Sequence, residues 1–405
     1  MRPLRAIFLL ALCLAAAPLR AEPDTAQRDF AVALIAIETG EPARAIPLLR
    51  RLLARDPTLV RVRLELGRAY FGAGQWAEAR REFELALSAD LPAIVRRNVL
   101  AYLARIDARQ GIDWSLDVAA VRLGDSRRYR SDTVIANVNG AELPFTIERN
   151  SERATGLRFS VSARASLPVS ALERPGRSVT AFAEPFAHGD YAGPERLRDI
   201  SYGLRAGLRE SARTRTLTAT LSQGYRDIAD ARFESRTGAL LSGEWRDAEG
   251  RRLFASAGLT QIRDGRGRGG DGTEAGLTLG AGKSFGGRAS LSLALSALQR
   301  EARDDALDQT RVGAALTGRL EPGWGLSLTA MAGAYWRDFT SPGPVFAGNP
   351  DEREWTALIR VEKSDLFLAA RFVPYLQIET TRVDSGIDAF SYDETLVLAG
   401  IARAF

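Results

Sequence analysis

The sequence predicts a multi-domain chain: N-terminal all-α helical repeats, then an all-β transmembrane barrel of about 14 antiparallel strands, behind a secretory leader. Three observations predict it. A charged start leads into a short apolar run, a self-similarity of period 34 follows, and from Trp114 onward the hydrophobic period falls to two.

Arg2 and Arg5 precede the apolar run Ala6 to Ala17, and small residues continue to Ala21. That is the layout of a signal peptide over residues 1–21. Leu12 before Cys13, and apolar residues after it, do not make a lipoprotein site. Cys13 is the single cysteine, so the mature chain is expected to hold no disulfide and no thiolate metal site.

Mean hydropathy is −0.14 with 26% charged residues. That average is uninformative for a barrel, whose strands alternate apolar and polar positions. Past the leader, no stretch reaches the roughly 18 unbroken apolar residues of a spanning helix. The net charge of +5 comes from arginines spread over nearly every segment. No basic patch or stripe forms, so nucleic acid is not expected as a partner.

Residues 22–110 carry the repeat. Gly40 corresponds to Gly74, Ala45 to Ala79, Leu49 to Phe83 and Leu52 to Ala86. The second copy carries Leu66, Gly67 and Tyr70 in one helix and Ala79, Phe83 and Ala86 in the next. Small Gly67 and Ala79 allow close helix approach, while Tyr70 and Phe83 fill the gap between pairs. This resembles the tetratricopeptide repeat. Ala93 to Arg109 reads as a capping helix. Two copies and a cap fall short of the three repeats a free-standing solenoid needs, so the segment is expected to lean on the barrel. Its concave groove is expected to receive a protein partner.

Residues 111–405 read as β-hairpins. Leu157, Phe159, Val161, Ala163 and Ala165 alternate with Arg158, Ser160, Ser162, Arg164 and Ser166, and the pattern recurs along the chain. Strands are expected from one centred near residue 119 to one near 398, the thirteenth near 372, each with the 9 to 11 residues or so that a tilted crossing needs. Short turns alternate with long polar loops, among them Asp125–Glu152, Gly189–Arg198 and Thr340–Arg353. An even strand count puts both barrel ends on the periplasmic side, with the helices. Trp114, Trp245, Trp324, Trp336 and Trp355 sit where an interfacial girdle belongs. Gly400 and the terminal Phe405 have the spacing of a barrel-assembly signal, which implies the assembly machinery and outer-membrane lipid as partners.

No catalytic, metal or cofactor constellation emerges. His188 is the single histidine, and Gly280–Ala281–Gly282–Lys283–Ser284 lacks the first glycine and the helix of a phosphate loop. An enzyme is therefore not expected. By strand parity Arg158, Arg164, Arg205, Arg209, Arg311, Arg319, Arg360 and Arg371 point into the lumen, with Asp117, Glu244, Glu362 and Glu379. They either pair and stiffen the barrel or give a polar, somewhat basic conduit.

A signal peptide, a short tetratricopeptide segment and a barrel opening at Trp114 and ending on Phe405 together resemble the Slam family, the surface lipoprotein assembly modulators. The resemblance implies an outer-membrane translocator. Its clients would be surface lipoproteins or secreted soluble proteins, received in the periplasm by the helical repeats. A general diffusion porin and a polysaccharide-export porin share the barrel and are the alternatives.

Overall fold

A computed structural model describes residues 23–403, apart from positions 88, 90, 108–110, 125–126, 139, 149–152, 175, 213, 248, 268, 342–345, 347, 364–365 and 367–371. The leader at 1–21 with Cys13, the terminal Phe405 and the lumen candidate Arg371 lie outside the described residues.

Five helices come first: α1 (Pro23–Glu38), α2 (Pro42–Arg55), α3 (Val60–Gly72), α4 (Trp76–Leu87) and α5 (Ala93–Asp107). The period of 34 has a backbone cause. Gly40 and Gly74 both take positive φ, +82° and +73°, just past the ends of α1 and α3. In each case the next residue donates its N–H back five positions, Glu41 to Ala36 and Gln75 to Tyr70, both at 2.8 Å. This is the left-handed C-terminal cap that glycine takes without a Cβ penalty.

Packing follows from side-chain size. A Cβ on Gly67 would lie 2.6 Å from the Phe83 ring, so only glycine lets α3 and α4 meet there. Tyr70 and Phe83 are about 1% exposed, and Phe83 stacks on Tyr102 of α5 with centroids 5.0 Å apart. Ala45, Ala79 and Ala86 are fully buried, with Leu66 beside them. Burial of each large apolar side chain contributes roughly 1.5–3 kcal/mol.

The β part begins with β1 (Gly111–Leu123), β2 (Arg127–Tyr129), β3 (Thr133–Val138), β4 (Ala141–Thr146), β5 (Ala154–Pro168) and β6 (Arg177–Tyr191). Next come β7 (Asp199–Ala212), β8 (Arg215–Ile228), β9 (Ala231–Arg246), β10 (Arg251–Asp264), β11 (Gly272–Phe285) and β12 (Ala289–Ala302). The chain ends with β13 (Gln309–Gly323), β14 (Leu326–Phe339), β15 (Glu352–Lys363), β16 (Val373–Ser385) and β17 (Tyr392–Arg403). β1 and β5 to β17 pair with their chain neighbours, all antiparallel, and β17 returns to β1 in the register Val118↔Ile401. The sheet is thus a closed barrel of 14 strands, which leaves no unpaired edge.

Period-two alternation sets its two faces. Along β11 every second residue is exposed from Thr273 to Phe285. Leu204, Leu221, Leu241, Leu259, Leu277, Leu293, Leu316 and Ile359 stand exposed on the outer wall, an apolar band of the kind a bilayer accepts.

Three details differ from expectation. The thirteenth strand is centred about seven residues beyond 372, since β16 runs from Val373 and pairs Tyr375 with Glu362. The apolar run just before it carries no alternation to fix its place. Asp125–Glu152, expected as a long polar loop with no strand counted in it, holds β2, which extends the pairing of β17, and the hairpin β3–β4. Val134 of that hairpin buries against Ile387 and Ala389, with Phe346 alongside, so three loops cohere at the end remote from the helices. At that same end, Ala229 and Asp230 close β8–β9 in two residues with φ of 52° and 59°. This tight hairpin turn breaks the short–long alternation.

Candidate functional site

The interior of the barrel and its junction with the helices form the candidate site. Within the barrel, a cavity of about 910 Å³ is lined by Asp117, Arg158, His188, Asp190, Asp199, Arg205, Arg226 and Arg360, among others. Strand parity turns these side chains inward, and opposite charges then meet. Arg158 forks onto Asp190 at 2.8 and 3.0 Å and reaches Glu379 at 2.8 Å. Arg164 and Arg205 share Glu184, the latter at 3.1 Å. Arg311 meets Glu354 at 2.9 Å and Arg319 meets Glu362 at 3.3 Å. Arg360 bridges Asp117 and Glu362, each at 2.9 Å, while Tyr375 donates to Asp117. Arg209 lies by the Phe182 ring, 6.0 Å from its centroid.

These pairs do more than neutralise. Arg158 on β5 reaches Glu379 on β16 across β1 and β17, and Arg360 on β15 reaches Asp117 on β1 across β16 and β17. Both therefore brace the seam where the barrel closes. With carboxylates matched to arginines in this way, the cavity wall is polar without being broadly basic.

Sequence reasoning missed one part of the lumen. Ala119 and Val121 of β1 and Leu396 and Leu398 of β17 bury on the inner side, against Ala192 and Tyr375. The run Leu396–Val397–Leu398–Ala399 is apolar on both faces, so alternation gives no signal there. Gly400 lies beside this patch, where an added Cβ would be 2.7 Å from the Tyr375 ring.

His188 stacks on Phe186 at 5.9 Å and stands in register between Ser160 and Ser201. A nucleophilic serine would need this imidazole as base, and the base a carboxylate to orient it. The nearby candidates are engaged elsewhere, Asp190 by Arg158 and Asp199 by Arg226. Gly280 to Ser284 lies within β11 with Lys283 exposed, so the segment is strand and not a phosphate loop.

The helices close on one mouth of the barrel through a buried ionic clasp. Arg63 of α3, 1% exposed, donates to Glu82 of α4 at 2.6 Å and to Glu321 near the end of β13 at 2.9 Å. Arg81 reaches the same Glu82 at 3.0 Å. The N–H of Trp324, in the β13–β14 turn, donates to the carbonyl of Ala54 at the end of α2. Arg246 of β9 lies 3.6 Å from Glu84 of α4. Burial pushes the Glu82 carboxyl up, but Arg63 and Arg81 outweigh it and hold the group below its ordinary value. Burial also draws Arg63 down, and Glu82 and Glu321 more than restore it. The Tyr70 hydroxyl behind them is pushed up to about 12 by burial.

A family model, the tetratricopeptide repeat, matches residues 36–96. No curated protein matches the chain at a significant level. Among solved structures, the outer membrane channel DcaP of Acinetobacter baumannii aligns at 12% identity and a TM-score of 0.41, covering 73% of this chain and 98% of its own. OmpT, an outer membrane protein of Vibrio cholerae, aligns at 11% and 0.39, covering 72% and 99%. A bacterial polysaccharide outer membrane secretin aligns at 9% and 0.38, covering 72% and 98%.

Proposed function

We propose that the chain is an outer-membrane translocator that assists export or surface display of client proteins, as its resemblance to the Slam family implies. The observation that carries the proposal is the clasp. A repeat stack of the partner-binding kind is fixed over one barrel mouth by Arg63 and Glu321, so whatever the repeats hold is held at an entrance. Val32 and Ile35 of α1, 48% and 62% exposed, give the stack an uncovered apolar strip on which a client segment can lodge. A diffusion pore has no use for such a stack.

In this reading the leader directs export, the barrel sits in the outer membrane, and the helices face the periplasm. No step requires a catalytic group or cofactor. The periplasm holds no ATP, so directionality comes from client folding on the outer side or from an upstream machine.

The test compares intact wild-type and deletion cells shaved with protease, released peptides and periplasmic contents being identified by mass spectrometry. A protein that leaves the surface and accumulates in the periplasm on deletion supports the translocator and names its client. An unchanged surface removes the reading and turns attention to solute or polysaccharide passage.

A further inference from the structure

Between the helices and the barrel lies a second chamber, of about 490 Å³. One wall is α4, through Trp76, Arg80 and Glu84. The other is the inner face of β7 to β10, where Arg209, Glu244, Arg246, Arg252 and Phe254 project. Four arginines thus meet two carboxylates, in contrast to the matched pairs higher in the lumen.

Both carboxylates are already engaged. Arg246 donates to Glu244 at 2.5 Å, and Glu84 is shared between Arg246 at 3.6 Å and Arg80 at 3.7 Å. Arg252 has no carboxylate partner among the described residues, and its guanidinium rests 5.6 Å from the Phe254 ring centroid. A half-buried guanidinium in a recess of excess positive charge attracts an anion, and a carboxylate accepts its paired N–H groups well. Trp76 and Phe254 supply apolar contact on either side.

We propose that this chamber binds an acidic segment of an extended polypeptide on its way from the helices to the barrel. The proposal rests on the translocator reading and deepens it by assigning the client segment its charge. A polypeptide is favoured over an acidic polysaccharide because the helical wall belongs to the tetratricopeptide match at 36–96, a repeat class whose stacks present surfaces to protein segments.

The test uses the full-length protein in detergent and fluorescence anisotropy of a labelled peptide of alternating glutamate and glycine, with a lysine–glycine peptide and oligogalacturonate as comparators. The glutamate peptide binds the wild type, more weakly as salt rises. Arg252→Gln weakens it roughly tenfold or more, the loss of one charge-assisted contact. Arg252→Lys falls between, and Arg177→Gln, on the outer wall, leaves binding unchanged. Folding of each variant is checked by the gel mobility of the unheated barrel. Equal binding by Arg252→Gln, or equal binding of the lysine peptide, overturns the proposal. Arg252-dependent binding of oligogalacturonate without the peptide overturns it too, in favour of a polysaccharide. If deletion strips a client from the surface while the peptide fails to bind, the translocator stands and the site falls. Binding with an unchanged surface removes the translocator and leaves an acidic-peptide site.

Discussion

Arg63→Ala is the sharpest test of how the two parts hold together. Arg63 and Glu82 are 1% and 2% exposed at 2.6 Å, so neither charge has water to fall back on. Removing the guanidinium leaves Glu82 with Arg81 alone and takes from Glu321 its ion pair with α3. Breaking a buried pair by removing one member costs roughly 3–5 kcal/mol. A small domain is stable by only about 5 kcal/mol or a little more, so the helical stack should open while the barrel stays closed. Glu321→Gln is milder, because Arg63 keeps Glu82 and the Pro57 carbonyl at 3.0 Å, and its cost is about 1.5–3 kcal/mol. Limited trypsinolysis of purified protein, with gel mobility of the unheated sample reporting the barrel, checks both. The expected order of helical cleavage is Arg63→Ala fastest, then Glu321→Gln, then wild type, the first more than about a hundredfold above the last. Wild-type resistance in Arg63→Ala, or equal damage from the two variants, refutes the reasoning.

Two further outcomes follow from the same region. Glu82 has its folded value below the ordinary 4.5, so its contribution is present above that value and is lost as pH falls through the lowered one. Glu78, raised by burial despite Arg81 and Arg50, has the opposite sign and disfavours the folded stack as pH rises. Glu78→Gln leaves the Glu82 contribution unopposed, so it should raise the neutral-pH melting point and make the loss of helical ellipticity at acid pH steeper than in the wild type; a profile as flat as or flatter than wild type in this variant counts against the assignment. Gly67→Ala would place a Cβ 2.6 Å from the Phe83 ring, an overpacking cost of about 1–3 kcal/mol. Its melting temperature should drop and partly recover with Phe83→Leu, and an unchanged midpoint sinks the packing account.

The helices were legible because their period has a backbone cause at Gly40 and Gly74, and the barrel because one face must meet lipid. Both signals are local. What stayed hidden depends on partners distant in sequence. The clasp joins Arg63 to Glu321, and the seam joins Arg360 to Asp117. A signal for the clasp was nonetheless present. Arg63 falls three and seven residues before Leu66 and Tyr70, and Glu82 lies between Ala79 and Ala86, so both charges sit on the buried stripes of their helices. A charge on such a stripe demands a partner. The β17 interior was not legible at all, because a strand apolar on both faces carries no phase.

The clasp also accounts for a repeat stack so short. Two tetratricopeptide copies and a cap fall short of a free-standing array, and here the barrel rim supports the stack from the side, at α2 to α4, through the Trp324 N–H, the Glu321 carboxylate and Arg246. The ionic seam also fixes orientation. Glu321 meets Arg63 in the same pose in which the Ala54 carbonyl accepts from Trp324 and Glu84 faces Arg246. An apolar seam of similar area would hold by non-directional burial, and would tolerate sliding of the helices across the mouth. Directional pairs set α4 at one position beside β9 and β10, and that position determines the shape and charge of the chamber beneath it.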